Sequence, residues 1–210
     1  NNLMLDKFKV MWKDKEDRRY IIRFSVIFIG VIAATIFYYL SANAPQQNVA
    51  KSFSAALGRL DTMKASSTFS ATSDKDATQI FSEYFNTPSV KQFYAKLYTN
   101  YKFTTQTITV SESSATCDVD ITLPNIKGAM ADLFASGTGI SGTQWTNLYK
   151  SDASAQVFDA LSKAYDSGKL SLETVTVKLK MVSEDGGWKI VFDKDLLDQI
   201  SGGAFTLLLH

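Results

Sequence analysis

Few residues in this chain are of types and spacings that do chemistry, and each has a specific geometric requirement. Gly137-Thr-Gly139-Ile-Ser-Gly142 spells G-x-G-x-x-G. Such a loop cradles a pyrophosphate only where a strand leads into it and a helix leaves it, so that helix N–H groups meet the anion. Here a helical stretch comes first, and an inter-helix loop is the expected role. Cys117 is the sole cysteine, and His210, the last residue, is the sole histidine. A thiolate nucleophile needs a neighbouring base and partial exposure. Cys117 lies between Ala115 and Val119 on the apolar side of an alternating run, which predicts a small core residue. One Cys and one His also leave a zinc site without its usual ligands. Asp118 and Asp120 share the other side of that run. They are spaced as an acid/base pair or as ligands for a hard cation; Thr116 and Thr122 beside them equally describe a solvated strand face. No cofactor is expected. No basic patch is interleaved with aromatics, so no nucleic-acid partner is expected either.

The elements that would position these groups follow from periodicity. Val49, Phe53, Ala56, Leu57 and Leu60 recur at helical spacing over residues 46–65. Residues 66–74 read as a loop, with Ser73 or Asp74 capping a helix whose stripe is Ile80, Phe81, Tyr84 and Phe85. Pro88 starts another helix, carrying Val90, Phe93, Tyr94, Leu97 and Tyr98. The period then changes to two across 101–112 and 114–123, which predicts two strands. A helix with Ile126, Met130, Leu133 and Phe134 follows, then a second over about 144–166, holding Trp145, Leu148, Val157, Phe158, Leu161 and Tyr165. Val175, Val177, Leu179 and Met181 alternate with polar residues, Asp185-Gly186 marks a hairpin turn, and Trp188, Ile190 and Phe192 return. Asp193 caps a last short helix ending at Gly202-Gly203.

Ahead of all this, Phe24 to Leu40 carries no charge, and Ile21 and Ile22 extend the run past Arg23. Its length is near the roughly 20 residues that span a bilayer, and aromatic residues sit at both ends. A secretory leader is the competing reading, since Ala42-Asn43-Ala44 fits a cleavage pattern. The run exceeds the usual apolar length of a leader, and Pro45 would directly follow the cut. A retained transmembrane helix over 20–41 is therefore expected. Lys7, Lys9, Lys13, Lys15, Arg18, Arg19 and Arg23 precede Phe24, against Lys51 and Arg59 in the twenty residues after Leu40. That bias places the N-terminus in the cytoplasm and the rest outside the cell membrane. The net charge of +1 hides the asymmetry. Met4, Leu5, Phe8, Met11 and Trp12 recur at helical spacing among lysines, as in a helix lying at the membrane interface or docking on a partner. Gly30, Ala33 and Ala34 offer the small-residue spacing by which a second transmembrane helix approaches closely. The expected organisation is a cytoplasmic amphipathic segment at 1–19, the span at 20–41, a linker at 42–47, one domain at 48–203 and a tail at 204–210. With one cysteine, no disulfide forms within the chain.

The order of helices, two strands, helices, hairpin and short helix is α+β with a mainly antiparallel sheet. It resembles the nuclear transport factor 2-like, cystatin-like roll, in which helices pack into a bent sheet. The closing segment, Val175-Thr-Val-Lys-Leu-Lys, an Asp-Gly turn, Trp188-Lys-Ile-Val, Asp193, Asp195-Leu196-Leu197 and Gly202-Gly203, resembles that of small exported Gram-positive proteins with this fold. The fold carries unrelated functions. Its enzymes place their groups in the cone between sheet and helices, where Tyr84, Tyr98 and Tyr101 would lie, but no acid–base set of such a family is matched. The expectation is a non-catalytic accessory or assembly subunit of a bacterial membrane complex, with membrane lipid and other membrane subunits as partners and a homo-oligomer as a further option. Two alternatives stay open: an assembly subunit of a conjugation or type IV secretion machine with the same layout, and a surface enzyme or small-ligand binder using the cone.

Overall fold

The computed structural model describes residues 15–135 and 153–205, and the chain divides into two compact units, Asn1–Ala44 and Pro45–His210. Met4, Phe8, Met11 and Trp12, the glycine loop Gly137–Gly142, residues 144–152 and the tail from 206 onward lie outside the described residues.

In the first unit the described chain is helical. It is the N-terminal part of α1, Lys15–Gly58, which contains Pro45. Val26 to Ile29, Val31, Ile32, Ile36 and Phe37 are all exposed; because consecutive residues point to successive sides of a helix, it is apolar all round. Gly30 has open space where a side chain would stand, and Ala33 and Ala34 are exposed beside it. Among the described residues no helix is long and apolar enough to cross a membrane. The transmembrane helix expected over 20–41 is therefore not found among them. Residues 42–47, expected as a linker, continue α1, and the boundary between units falls just before Pro45, which has no N–H for the helical ladder.

The second unit is α+β: a curled, half-barrel antiparallel sheet packed on helices. The last turns of α1 bury Ala50, Phe53, Ala56 and Leu57, the stripe expected from their spacing. The helix stops at Gly58 instead of running to residue 65, and the backbone turns through Leu60 at φ +53°. Asp61 then caps the short α2, Thr62–Ser66, by accepting from the Lys64 N–H. Helix α3, Lys75–Asn86, is capped by Asp74, whose carboxylate accepts from the Ala77 N–H at 3.0 Å. Helix α4, Pro88–Tyr98, has proline in its first turn, where the missing N–H costs nothing. Strands β1, Lys102–Ser111, and β2, Ser114–Pro124, form a hairpin. Helices α5, Ile126–Ala135, and α6, Ala153–Asp166, separate it from β3, Leu172–Glu184, and β4, Gly187–Ile190; α7, Lys194–Ile200, follows. The sheet order is β1-β2-β3-β4, all antiparallel. Asp185 and Gly186 have φ +50° and +77°, the two left-handed positions of a two-residue hairpin turn that matches strand twist.

Alternation places Ala115, Cys117, Val119, Ile121 and Leu123 of β2 on the covered face, opposite Val177, Leu179 and Met181 of β3. An aromatic core fills the space above. Phe69 stacks on Phe192 with centroids 4.4 Å apart, and Phe81 meets both, at 5.4 and 5.2 Å. Of the residues expected to face inward after the hairpin, Ile190 and Phe192 are fully buried, whereas Trp188 is only half-buried against the core. The turn is tight and Trp188 pairs with Ser183 near its tip, so its ring reaches the edge of the helix layer.

Candidate functional site

Tyr84, Tyr98 and Tyr101 were the sequence's candidates for lining the cone, and the structure brings them together through a residue that periodicity had assigned to packing alone, Tyr94. Tyr84 comes from α3, Tyr94 and Tyr98 from successive turns of α4, and Tyr101 from the loop before β1. The Tyr84 and Tyr94 rings lie 5.7 Å apart, Tyr94 and Tyr98 5.5 Å, and Tyr98 and Tyr101 4.1 Å. The signal for Tyr94 was present: the tyrosines at 94, 98 and 101 are spaced as one helical face and its continuation.

Their hydroxyls converge on the end of α7. Tyr94 donates to the Ser201 carbonyl at 2.6 Å. Its oxygen lies 3.0 Å from the Tyr84 hydroxyl, and since Tyr94's proton is used on Ser201, Tyr84 is the donor of that pair. Tyr98 and Tyr101 both donate to the Ile200 carbonyl, at 3.1 and 3.0 Å; one carbonyl oxygen has two lone pairs for them. A helix leaves its last carbonyls without intrahelical partners, and here phenols supply the partners. Burial raises the Tyr94 and Tyr98 hydroxyls well above the usual tyrosine value, with the neighbouring phenols adding to it, and burial likewise raises Tyr101. The array acts as a neutral set of donors that fastens the last helix to α3 and α4. Phe205 closes its far side, 4.9 Å from Tyr84.

The Ile200 carbonyl has two phenol donors, whereas removing the Tyr94 hydroxyl takes away the one that serves the Ser201 carbonyl. Tyr94→Phe should destabilise the domain by about 1–3 kcal/mol. The sign of the pH effect follows from the raised values. The unfolded tyrosines ionise from about pH 10 and the buried ones only above that, so stability is retained below about pH 10 and lost as pH rises beyond it. Urea unfolding at about pH 8 and about pH 10.5 reads both effects. Midpoints in Tyr94→Phe equal to wild type at both would show that the hydroxyl caps nothing.

The other candidates are not drawn together. Asp118 and Asp120 stand on the outer face of β2. Asp118 lies opposite Lys178, with a carboxylate–ammonium separation of 3.9 Å, and Asp120 accepts from the Thr176 hydroxyl at 2.8 Å. Cross-strand neighbours thus engage both carboxylates, as on a solvated face. Cys117 is fully buried, and burial, with Asp118 beside it, pushes its thiol up to about 11; a thiol so placed is inert. Among the described residues no group of three or more Cys, His, Asp or Glu could hold a metal. Surface grooves occur elsewhere. One of about 500 Å³ lies between α5 and α6, lined by Gly128, Asp132, Leu161 and Lys169; another of about 600 Å³ lies beside the hairpin turn, where Glu184 accepts from the Ser70 hydroxyl and the Ala71 N–H. No family model matches the chain, and neither a curated protein nor a solved structure matches it.

Proposed function

We propose that this chain is a membrane-anchored, non-catalytic subunit whose exported domain, a nuclear transport factor 2-like roll, works by binding other subunits of a bacterial membrane complex. The observation that carries the reading is the filled cone. Where a roll enzyme would keep an open site, Tyr84, Tyr94 and Phe205 pack ring against ring and the hydroxyls are spent on backbone carbonyls. A domain with its interior so used acts through its surface. The anchor reading is supported by the uncharged run from Phe24 to Leu40, by the exposed apolar side chains from Val26 to Phe37 and by the basic excess before Phe24. The order of elements and the curled sheet on helices support the roll. On this reading the segment with Met4, Phe8, Met11 and Trp12 lies at the cytoplasmic membrane surface, and Gly30, Ala33 and Ala34 are the helix face that meets a partner's transmembrane helix.

Gly30 is the direct probe, because a side chain added there meets nothing among the described residues. Gly30→Leu and Ala34→Leu should leave insertion and domain melting unchanged and weaken copurification of partners from mild detergent. The expected loss is on the order of 1–2 kcal/mol. Quantitative mass spectrometry of material copurified with each variant measures it. Full recovery of every partner with both variants would remove this helix face from the interface.

A further inference from the structure

We propose that the edge of β3 that is unpaired among the described residues pairs with the same strand of a second copy across a two-fold axis, extending the sheet between subunits. Strand β3 is far longer than its neighbour β4: only Met181 to Glu184 pair with β4, whereas Leu172 to Val182 all pair with β2. Two backbone hydrogen bonds fix which residues point where. The Ser183 N–H donates to Ser113 on the β2 side, and the Lys180 carbonyl accepts from Val191 on the β4 side. Strand backbones alternate, so the N–H and C=O groups of Leu172, Thr174, Thr176 and Lys178 face outward, past the end of β4. Residues 172–176 are exposed on both faces, Leu172 at 59% and Val175 at 37%.

Strand β1 and the outer run of β3, past the end of β4, differ in protection. Natural edge strands are blunted by bulges, prolines or charge. On β1 the register shifts between Thr105 and Ile108, and the strand opens with Lys102. The outer run of β3, Leu172-Glu-Thr-Val-Thr-Val, has neither proline nor bulge, keeps an unbroken register with β2, and is rich in β-branched residues. An edge kept regular and threonine-rich is a template for another strand. The occupant that its pattern fits is itself. With the two-fold axis at Val175, the outward groups of Thr174 face those of the second copy's Thr176, and Leu172 faces the second copy's Lys178, each pair exchanging two hydrogen bonds. The two exposed valines then oppose each other in the closer, non-hydrogen-bonded pairing. Charge permits the pairing: Lys178 meets a leucine and Glu173 a valine, so no like charges face each other. The contact is small against the roughly 800 Å² per partner of a stable interface, so the dimer is reversible.

The test uses the full chain in mild detergent, in a Cys117→Ser background. Cβ atoms of opposed, non-hydrogen-bonded residues come within about 4.5–5.5 Å, near disulfide reach. Val175→Cys should therefore form a covalent dimer under mild oxidation much faster than Thr109→Cys, an exposed control on β1. Equal rates at the two positions, the result for a dimer held only by α1, would overturn the proposal. Val175→Lys sets two like charges at the axis and should weaken self-association measured by sedimentation at least about tenfold, which is about 1.4 kcal/mol, with melting unchanged. Undiminished association would overturn it equally.

Discussion

Phe192→Ala should lower the stability of the domain by about 3–5 kcal/mol, the range for a fully buried ring. Phe192 is fully buried and closes the contact between β4 and the helices: it stacks on Phe69 and packs on Phe81, and its backbone takes part in the same joint, since the Asp74 N–H donates to its carbonyl and its own N–H donates to the Ser73 hydroxyl. Alanine keeps the backbone bonds and leaves a cavity the size of a ring that three elements would have to collapse to fill. Domains hold only about 5–15 kcal/mol in total, so the loss is readily measured by urea unfolding. Trp188→Ala serves as the contrast, because Trp188 is half-buried; a larger loss there than at Phe192 would reverse the assignment of the anchor residue.

Gly202→Ala should cost about 2–5 kcal/mol by two additive causes. The backbone at Gly202 sits at φ +75°, which costs a side-chain-bearing residue roughly 1–2 kcal/mol. A Cβ there would also stand 2.8 Å from Ile126 Cγ1, 2.9 Å from Leu123 Cδ1 and 2.9 Å from the Pro124 carbonyl oxygen, and such overpacking costs about 1–3 kcal/mol. The Gly202 carbonyl meanwhile accepts from the Lys127 N–H at 3.0 Å, so the chain cannot move away without breaking that bond. Gly186→Ala is the control: its φ is also positive, +77°, but among the described residues no atom lies near its Cβ position, so it should show the strain alone. Equal losses at the two glycines would mean that the close approach to β2 and α5 carries no energy.

These two residues also mark what could and could not be read from the chain. Alternation from Ala115 to Leu123, the Asp185-Gly186 turn and the caps at Asp74 and Asp193 are local signals, and each appears where periodicity or turn chemistry placed it. Local signals also gave Gly202 as a helix stop, but its contact with Leu123 and Ile126 joins segments that are remote in sequence, and spacing carries no trace of it. The same holds for the phenols: Tyr84, Tyr98 and Tyr101 were visible as cone candidates, whereas the backbone carbonyls of Ile200, which accepts from Tyr98 and Tyr101, and of Ser201, which accepts from Tyr94, lie about a hundred residues away. Tyr94 shares its spacing with Tyr98 and Tyr101, but an amphipathic stripe counts its ring and ignores its hydroxyl, so the stripe alone assigned it to packing. The end of α1 at Gly58 was missed because Leu60 fits the apolar stripe while adopting a left-handed backbone that leucine rarely takes.

On the proposed function the chain crosses a membrane once and presents the second unit outside. Cysteines placed at Met63, which is 83% exposed, and at exposed Gln92, each in a Cys117→Ser background, should react with a membrane-impermeant maleimide on intact cells. A cysteine at Asn2 should react only after lysis. Labelling of Met63→Cys and Gln92→Cys only after lysis, or recovery of the full-length chain in the fraction released without detergent, would contradict the anchor, the orientation and the accessory role built on them.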